Sequence, residues 1–118
     1  MWDVELTDEF GEWWGTLTED EQESLTVSVK LLQVLGPALG RPHTDSVKKS
    51  RHSNMKELRT QARGYPLRTF YAFDPRRKAI LLIGGAKSGD KRFYDRMIPL
   101  ADKIMDVHLQ EIEKDGKI

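Results

Sequence analysis

The chain has 118 residues, enough for one domain that buries about two-thirds of its unfolded surface and folds on its own. It contains no cysteine, which excludes disulfides and thiolate metal sites, and no apolar run approaches the ~18–20 residues needed to cross a bilayer. The formal net charge of zero conceals a polarity: residues 1–29 carry nine acids and no Lys or Arg, leaving all 19 bases against the other ten acids in the remainder.

Two readings of that polarity stand side by side. If the acidic part folds away from the basic part, one face is positive enough to attract nucleic acid. Otherwise the charges neutralise one another across a solvated surface. The acidic start lacks the positive flank and apolar run of a signal peptide, and the expectation is a cytoplasmic protein folded as one unit over 1–118, with no membrane partner.

Trp2, Val4 and Leu6 alternate with Asp3 and Glu5, a period of two that predicts a short strand. Thr7 is placed to cap a short helix carrying Phe10, Trp13, Trp14 and Leu17, with Asp8 and Glu9 at its positive end. The tryptophans at helical spacing read as core anchors; base stacking is the other possibility, in an acidic segment that disfavours it. Thr18 and Glu21 form a capping box for a second helix, which runs to Leu35 and stops at Gly36-Pro37. Its apolar stripe is Leu25, Val29 and Leu32, thickened by Val27, Leu31 and Val34. Residues 40–53 are polar and basic and read as a loop, with room for one short turn or strand.

From Asn54 to Lys87 the chain reads strand, turn, strand, turn, strand: MKELRT, ARGYP, LRTFYAF, DPRRK, AILLIGGAK. Bases recur along it at Lys56, Arg59, Arg63, Arg68, Arg76, Arg77, Lys78 and Lys87, with Glu57 as an acid among the first of them. The continuous apolar run 79–83 predicts a central strand covered on both faces. Gly84, Gly85 and Gly89 are expected to loosen the backbone around Lys87. The chain ends in helix: a short piece near residues 91–97, then a longer one with Pro99 at its first position, facing the sheet through Leu100, Ile104, Val107, Leu109 and Ile112, before a fraying polar tail.

Strand alternation puts Glu57 and Arg59 on one face, and Arg68 with Phe70 on one face of the next strand. If the two faces coincide, a carboxylate and two guanidiniums converge. Guanidinium forks suit phosphate oxygens, and a carboxylate beside them can take a proton from a hydroxyl. The alternative is plain cross-strand salt bridging around Glu57. Lys87, Lys91, Arg92 and Tyr94 follow the last strand; Tyr94 either donates a proton, stacks on a base, or packs on the final helix. His43, His52 and His108 match no metal spacing, and His43 and His52 lie in the basic loop. Walker, GxSxG and GxGxxG motifs are missing.

NMKELR, followed by LRTFYAFDPRRKAILLIGGAKSGDKRFYDRMIPLADKIMDVHL, resembles the RelE/ParE superfamily of toxin–antitoxin toxins, and within it the HigB-like, phage-derived group. The resemblance covers about residues 2–112. It implies an α+β RelE-like fold, in which an N-terminal strand and helical hairpin pack on an antiparallel sheet with a C-terminal helix. It implies a ribosome-dependent mRNA endonuclease that uses neither metal nor cofactor: the 2′-hydroxyl attacks the adjacent phosphate and the 5′-oxygen leaves. Glu57 would be the general base, Arg68 the phosphate-stabilising arginine, Lys87 or Arg92 the neutralising cation and Tyr94 a late catalytic or stacking tyrosine. Lys56, Arg59, Arg63, Lys91 and Arg92 would bind RNA. The implied partners are the ribosome, mRNA and a cognate antitoxin, usually a helix-turn-helix, HigA-like protein. Superfamily alternatives are a ParE-type gyrase inhibitor and an inactive homologue acting as corepressor. Here Pro66 and Leu67 stand between tyrosine and arginine, where many members have the pair adjacent, and the final strand lacks the acid histidine of some relatives.

Overall fold

The computed structural model describes residues 1–118. Five strands form one sheet: β1 (Val4–Leu6), β2 (Thr44–Ser46), β3 (Lys56–Ala62), β4 (Tyr65–Phe73) and β5 (Ala79–Ala86). Their order is β1-β5-β4-β3-β2. All neighbours are antiparallel except β1, which lies parallel to β5 with Val4 opposite Ala79, so the expected antiparallel sheet acquires one parallel edge. Helices α1 (Asp8–Gly15) and α2 (Glu19–Leu35) cover one face, and α3 (Phe93–Lys114) covers the other. This is the α+β, RelE-like arrangement expected. No helix is long and apolar enough to cross a membrane.

The local signals set the helix starts. Thr7 accepts from the Phe10 N–H, and Thr18 and Glu21 exchange both capping-box bonds. α2 ends where Gly36 takes φ +54°, a left-handed geometry that suits glycine, with the Trp2 indole packed where a Cβ would stand. Trp13 and Trp14 pack against the core under α1 and α2, as anchors do. Leu25 and Leu32 are fully buried, but Val27 and Val34 are exposed, so the buried stripe of α2 is narrower than its apolar residues suggest.

The central strands bury both faces. Tyr71, Ala79 and Leu81 meet α1 and α2, while Phe70, Ile80 and Leu82 meet α3. A bulge leaves Leu82 without a partner between Phe70–Ile83 and Tyr71–Leu81. Beyond it the glycines have a packing role instead of the loosening expected. A Cβ at Gly84 would lie 2.3 Å from the Trp13 ring, and one at Gly85 would lie 3.0 Å from Phe93 on the opposite face. Aromatic rings from both layers therefore press onto adjacent backbone positions.

The final helix also departs from expectation. α3 is continuous from Phe93, with Pro99 inside it. Pro99 forfeits one backbone bond, and the burial of Phe93, Met97, Ile98 and Ala101 across that point offsets the loss. Starting the helix earlier sets the buried stripe at 93, 97, 101, 104, 105 and 112, and leaves Leu100 and Val107 exposed. Ile112 is buried and the helix reaches Lys114, so the tail is ordered further than its polarity predicts. The loop before β3 is fixed to α3 by the buried Asp102, which accepts from the Ser50 hydroxyl and, at 3.0 Å, from the Arg51 N–H.

A second buried acid, Asp74, closes the β4–β5 turn. It accepts from the Arg76 N–H at 2.9 Å and from the Arg76 guanidinium at 2.7 Å, and lies 2.9 Å from His108 Nε2 on α3. Arg76 continues to Glu5 on β1 at 2.7 Å. Burial alone would raise the Asp74 carboxyl, but the hydrogen bonds from His108 and Arg76 outweigh it and hold the group below its ordinary 3.8. A carboxyl depressed by folding contributes stability that is complete above its unfolded pKa and lost as pH falls through the folded one. Stability should therefore drop on acidification below about pH 4. Asp74→Asn should lower stability at pH 7 by ~1–3 kcal/mol and flatten part of that acid limb. Urea midpoints between pH 2 and 7 test both; an unchanged acid slope in the variant would remove Asp74 from the account.

Candidate active site

The site begins with a turn. β3 and β4 are joined by two residues, Arg63 and Gly64, with φ of +48° and +85°, the signs a type I′ hairpin requires. The expected five-residue turn is shorter, and Tyr65 and Pro66 belong to β4. That turn fixes the register: Ala62 faces Tyr65, Arg59 faces Arg68 and Glu57 faces Phe70. Pro66 does not disturb it. Its carbonyl accepts from the Lys87 N–H at 3.0 Å, so its missing N–H points the same way, past the end of β5, and costs no β3–β4 bond. Arg68 thus faces α3 with Glu57 and Arg59.

Like charges directly opposite destabilise a sheet, and here two arginines are opposed with a carboxylate between them. Glu57 is 5% exposed. Its Oε1 accepts from the Tyr94 hydroxyl at 2.6 Å and lies 3.4 Å from Arg68 Nε; its Oε2 lies 3.4 Å from an Arg59 terminal nitrogen. The Lys87 ammonium stands 5.1 Å over the Tyr94 ring. Phe70 and Phe93 each meet that ring edge-on. Burial, reinforced by the bond to Glu57, raises the Tyr94 phenol, which therefore stays protonated and donates at neutral pH.

Neither guanidinium is fully satisfied. The Nε groups of Arg59 and Arg68 are buried without a hydrogen-bond acceptor. Buried donors in native proteins are almost always paired; here Arg68 Nε lies 3.4 Å from Glu57 Oε1, an ion-pair distance without hydrogen-bond alignment. Oε2 of Glu57, held only loosely by Arg59, is free to take a proton. The arrangement can bind a phosphodiester, accept one proton and supply another from a phenol.

Sequence reasoning therefore put together residues that the fold brings together: Glu57, Arg59, Arg68, Lys87 and Tyr94. Others lie apart. Lys56 alternates to the opposite side, facing Tyr71. Arg63, at the hairpin tip, is paired with Asp20 of α2. Lys91 and Arg92 are exposed in the turn into α3 and do not touch the carboxylate. There they place positive charge at a helix N-terminus, where the helix field already disfavours it. His52 is bonded to Asp106 on α3 at 2.7 Å and His108 to Asp74, so both serve packing; His43 is exposed. A hollow of about 350 Å³ beside the C-terminal half of α3, lined by Glu5, Arg76 and His108, contains none of the cluster.

One member was missed. Asp45 on β2 lies opposite Glu57 and holds Arg59 at 3.4 Å and Arg41 at 2.8 Å. It shares Arg59 with Glu57 and so keeps Arg59 from neutralising the carboxylate alone. The only trace of it in the sequence is an acid inside a basic loop, because β2 is three residues long and pairs only after the fold forms.

Residues 12–106 match the family described as phage derived protein Gp49-like. Two Mycobacterium tuberculosis proteins are similar to this chain. The protein named "Putative toxin HigB3" is 49% identical over 92 residues, covering 77% of this chain and 79% of that protein. The protein named "Putative toxin HigB2" is 41% identical over 103 residues, covering 86% of this chain and 51% of that protein. No solved structure matches the chain.

Proposed function

This chain belongs to the phage-derived Gp49-like family and is a HigB-like toxin of a toxin–antitoxin module, and from that premise we propose that it cuts mRNA on the translating ribosome. The observation carrying the reading is the buried Glu57 carboxylate, bonded by the Tyr94 phenol and flanked at 3.4 Å by the Arg59 and Arg68 guanidiniums.

Arg59 and Arg68 bind the non-bridging oxygens of one phosphate, and their charge offsets the charge that builds there in the transition state. Glu57 takes the proton of the neighbouring 2′-hydroxyl, whose oxygen attacks phosphorus. The bond to the 5′-oxygen breaks, leaving a 2′,3′-cyclic phosphate, and the leaving oxygen takes the Tyr94 proton. Glu57 and Tyr94, 2.6 Å apart, then restore each other by passing the acquired proton back to the phenolate. Lys87 steadies the transient negative charge on the ring oxygen. Each proton transfer of this kind contributes ~10²–10⁴ in rate.

The cognate antitoxin is proposed to be a helix-turn-helix, HigA-like protein. The test is expression of the chain alone with mRNA 5′ ends mapped across the transcriptome. Codon-phased cuts that vanish when translation is blocked are the expected result. Intact mRNA with relaxed or broken DNA would replace this reading with gyrase inhibition.

A further inference from the structure

Glu57 and Tyr94 also form one wall of a second hollow, on the side away from the arginines. It measures about 320 Å³, at the lower end of the ~300–1,000 Å³ of small-molecule sites. Val47 from the loop after β2 and Ile98 from α3 line it, with the exposed Lys48 and Lys49. Neither arginine lines it. We propose that this hollow takes the base of the nucleotide on the 5′ side of the cut, making Val47, Ile98 and Asp95 determinants of base preference in single-stranded RNA.

The inference rests on the nuclease reading for its orientation. With the phosphate on Arg59 and Arg68 and the 2′-hydroxyl on Glu57, the ribose lies over the carboxylate. Its base then falls on the carboxylate's other side, where the hollow is. The walls suit a flat apolar ring: Val47 and Ile98 are 8% and 7% exposed, so they present edges and not loose side chains. Their positions are fixed, because Val47 donates its N–H to the Met55 carbonyl at 2.9 Å and Ile98 belongs to the α3 core. Lys48 and Lys49 are exposed, and their charge meets the next phosphate along the chain. Asp95, also exposed on the rim, supplies an acceptor for an exocyclic amine. An amino-bearing base (adenine, guanine or cytosine) is therefore favoured over uracil.

The test uses the intact chain and an oligoribonucleotide made uncleavable by a 2′-deoxy sugar at the cut position. Methyl NMR should show Val47 and Ile98 shifting on titration, with saturation at lower concentration for amino-bearing bases than for uracil. Lys48→Ala with Lys49→Ala, both at the surface, should reduce the salt slope of binding by up to about 1.4. In cells, Ile98→Trp fills the hollow, and Asp95→Ala removes the acceptor. Each should flatten the base preference at the 5′ nucleotide at least threefold while cleavage continues. If the methyls do not move on titration, or if the folded Asp95→Ala protein cuts with an unchanged preference, the base site is wrong. If the methyls shift but the wild-type chain cuts no RNA, the nuclease reading fails and the nucleotide site stands.

Discussion

Glu57→Gln is expected to reduce RNA cleavage by ~10²–10⁴ and to relieve growth arrest, with Arg68→Ala reducing it by ~10²–10³. The glutamine keeps the size of the side chain and an oxygen for the Tyr94 bond, but cannot hold the 2′-proton. The alanine removes one of the two forks on the phosphate and leaves Glu57 with Arg59 and Tyr94. Arg68→Lys should recover little, because an ammonium cannot make the paired bonds of a guanidinium. The measurements are 5′-end mapping and growth on induction, each beside a thermal melt showing that the variant is folded. If both folded variants arrest growth and cut as the wild type does, the cluster is a cross-strand salt-bridge network and the chemistry lies elsewhere.

Phe70→Ala should cost ~3–5 kcal/mol of stability, a large share of the ~5–15 kcal/mol that a domain possesses. Phe70 is fully buried, stacks with Phe93 at 6.0 Å and meets Tyr94 edge-on at 6.3 Å. Truncating it empties the place where the first turn of α3 lies on the sheet. The cavity cannot collapse easily, because Gly85 already brings backbone against Phe93 and the β4–β5 ladder is fixed on both sides. The loss should also free the Tyr94 ring, so cleavage should fall by more than the loss of folded protein accounts for. Urea unfolding gives the first quantity; cleavage per folded molecule gives the second. A change in stability below ~1 kcal/mol would mean that the core repacks and that this ring is not what seats the helix.

The elements most legible in the sequence were those written in neighbouring residues. The caps at Thr7 and Thr18 and the stop at Gly36 rest on contacts within a few positions, and the apolar run 79–83 and the alternation of β3 and β4 are patterns of adjacent residues. Readings that spanned more of the chain were less secure. Pro99 suggested a helix start because proline is comfortable there, yet packing of Phe93 and Met97 carried the helix through it. Gly84 and Gly85 suggested a loose backbone, yet they make room for rings from Trp13 and Phe93, residues that nothing near the glycines foretells.

The sequence by itself determined which residues could take part: Glu57 and Arg59 share a face because strands alternate, and Arg68 shares one with Phe70 for the same reason. The basic stretch against an acidic N-terminal quarter, and the order of motifs that carries the family resemblance, were equally plain in it. Only the tertiary structure decided that these faces are one face. The two-residue turn at Arg63–Gly64 sets Arg59 opposite Arg68, and a register slip of one residue would have turned one arginine away. It likewise brought Tyr94 to Glu57 across 37 positions and Asp45 to Arg59 across 14. The physical reason is range: side-chain direction along a strand is fixed by adjacent backbone angles, whereas cross-strand register and helix docking depend on hydrogen bonds and packing between segments distant in sequence.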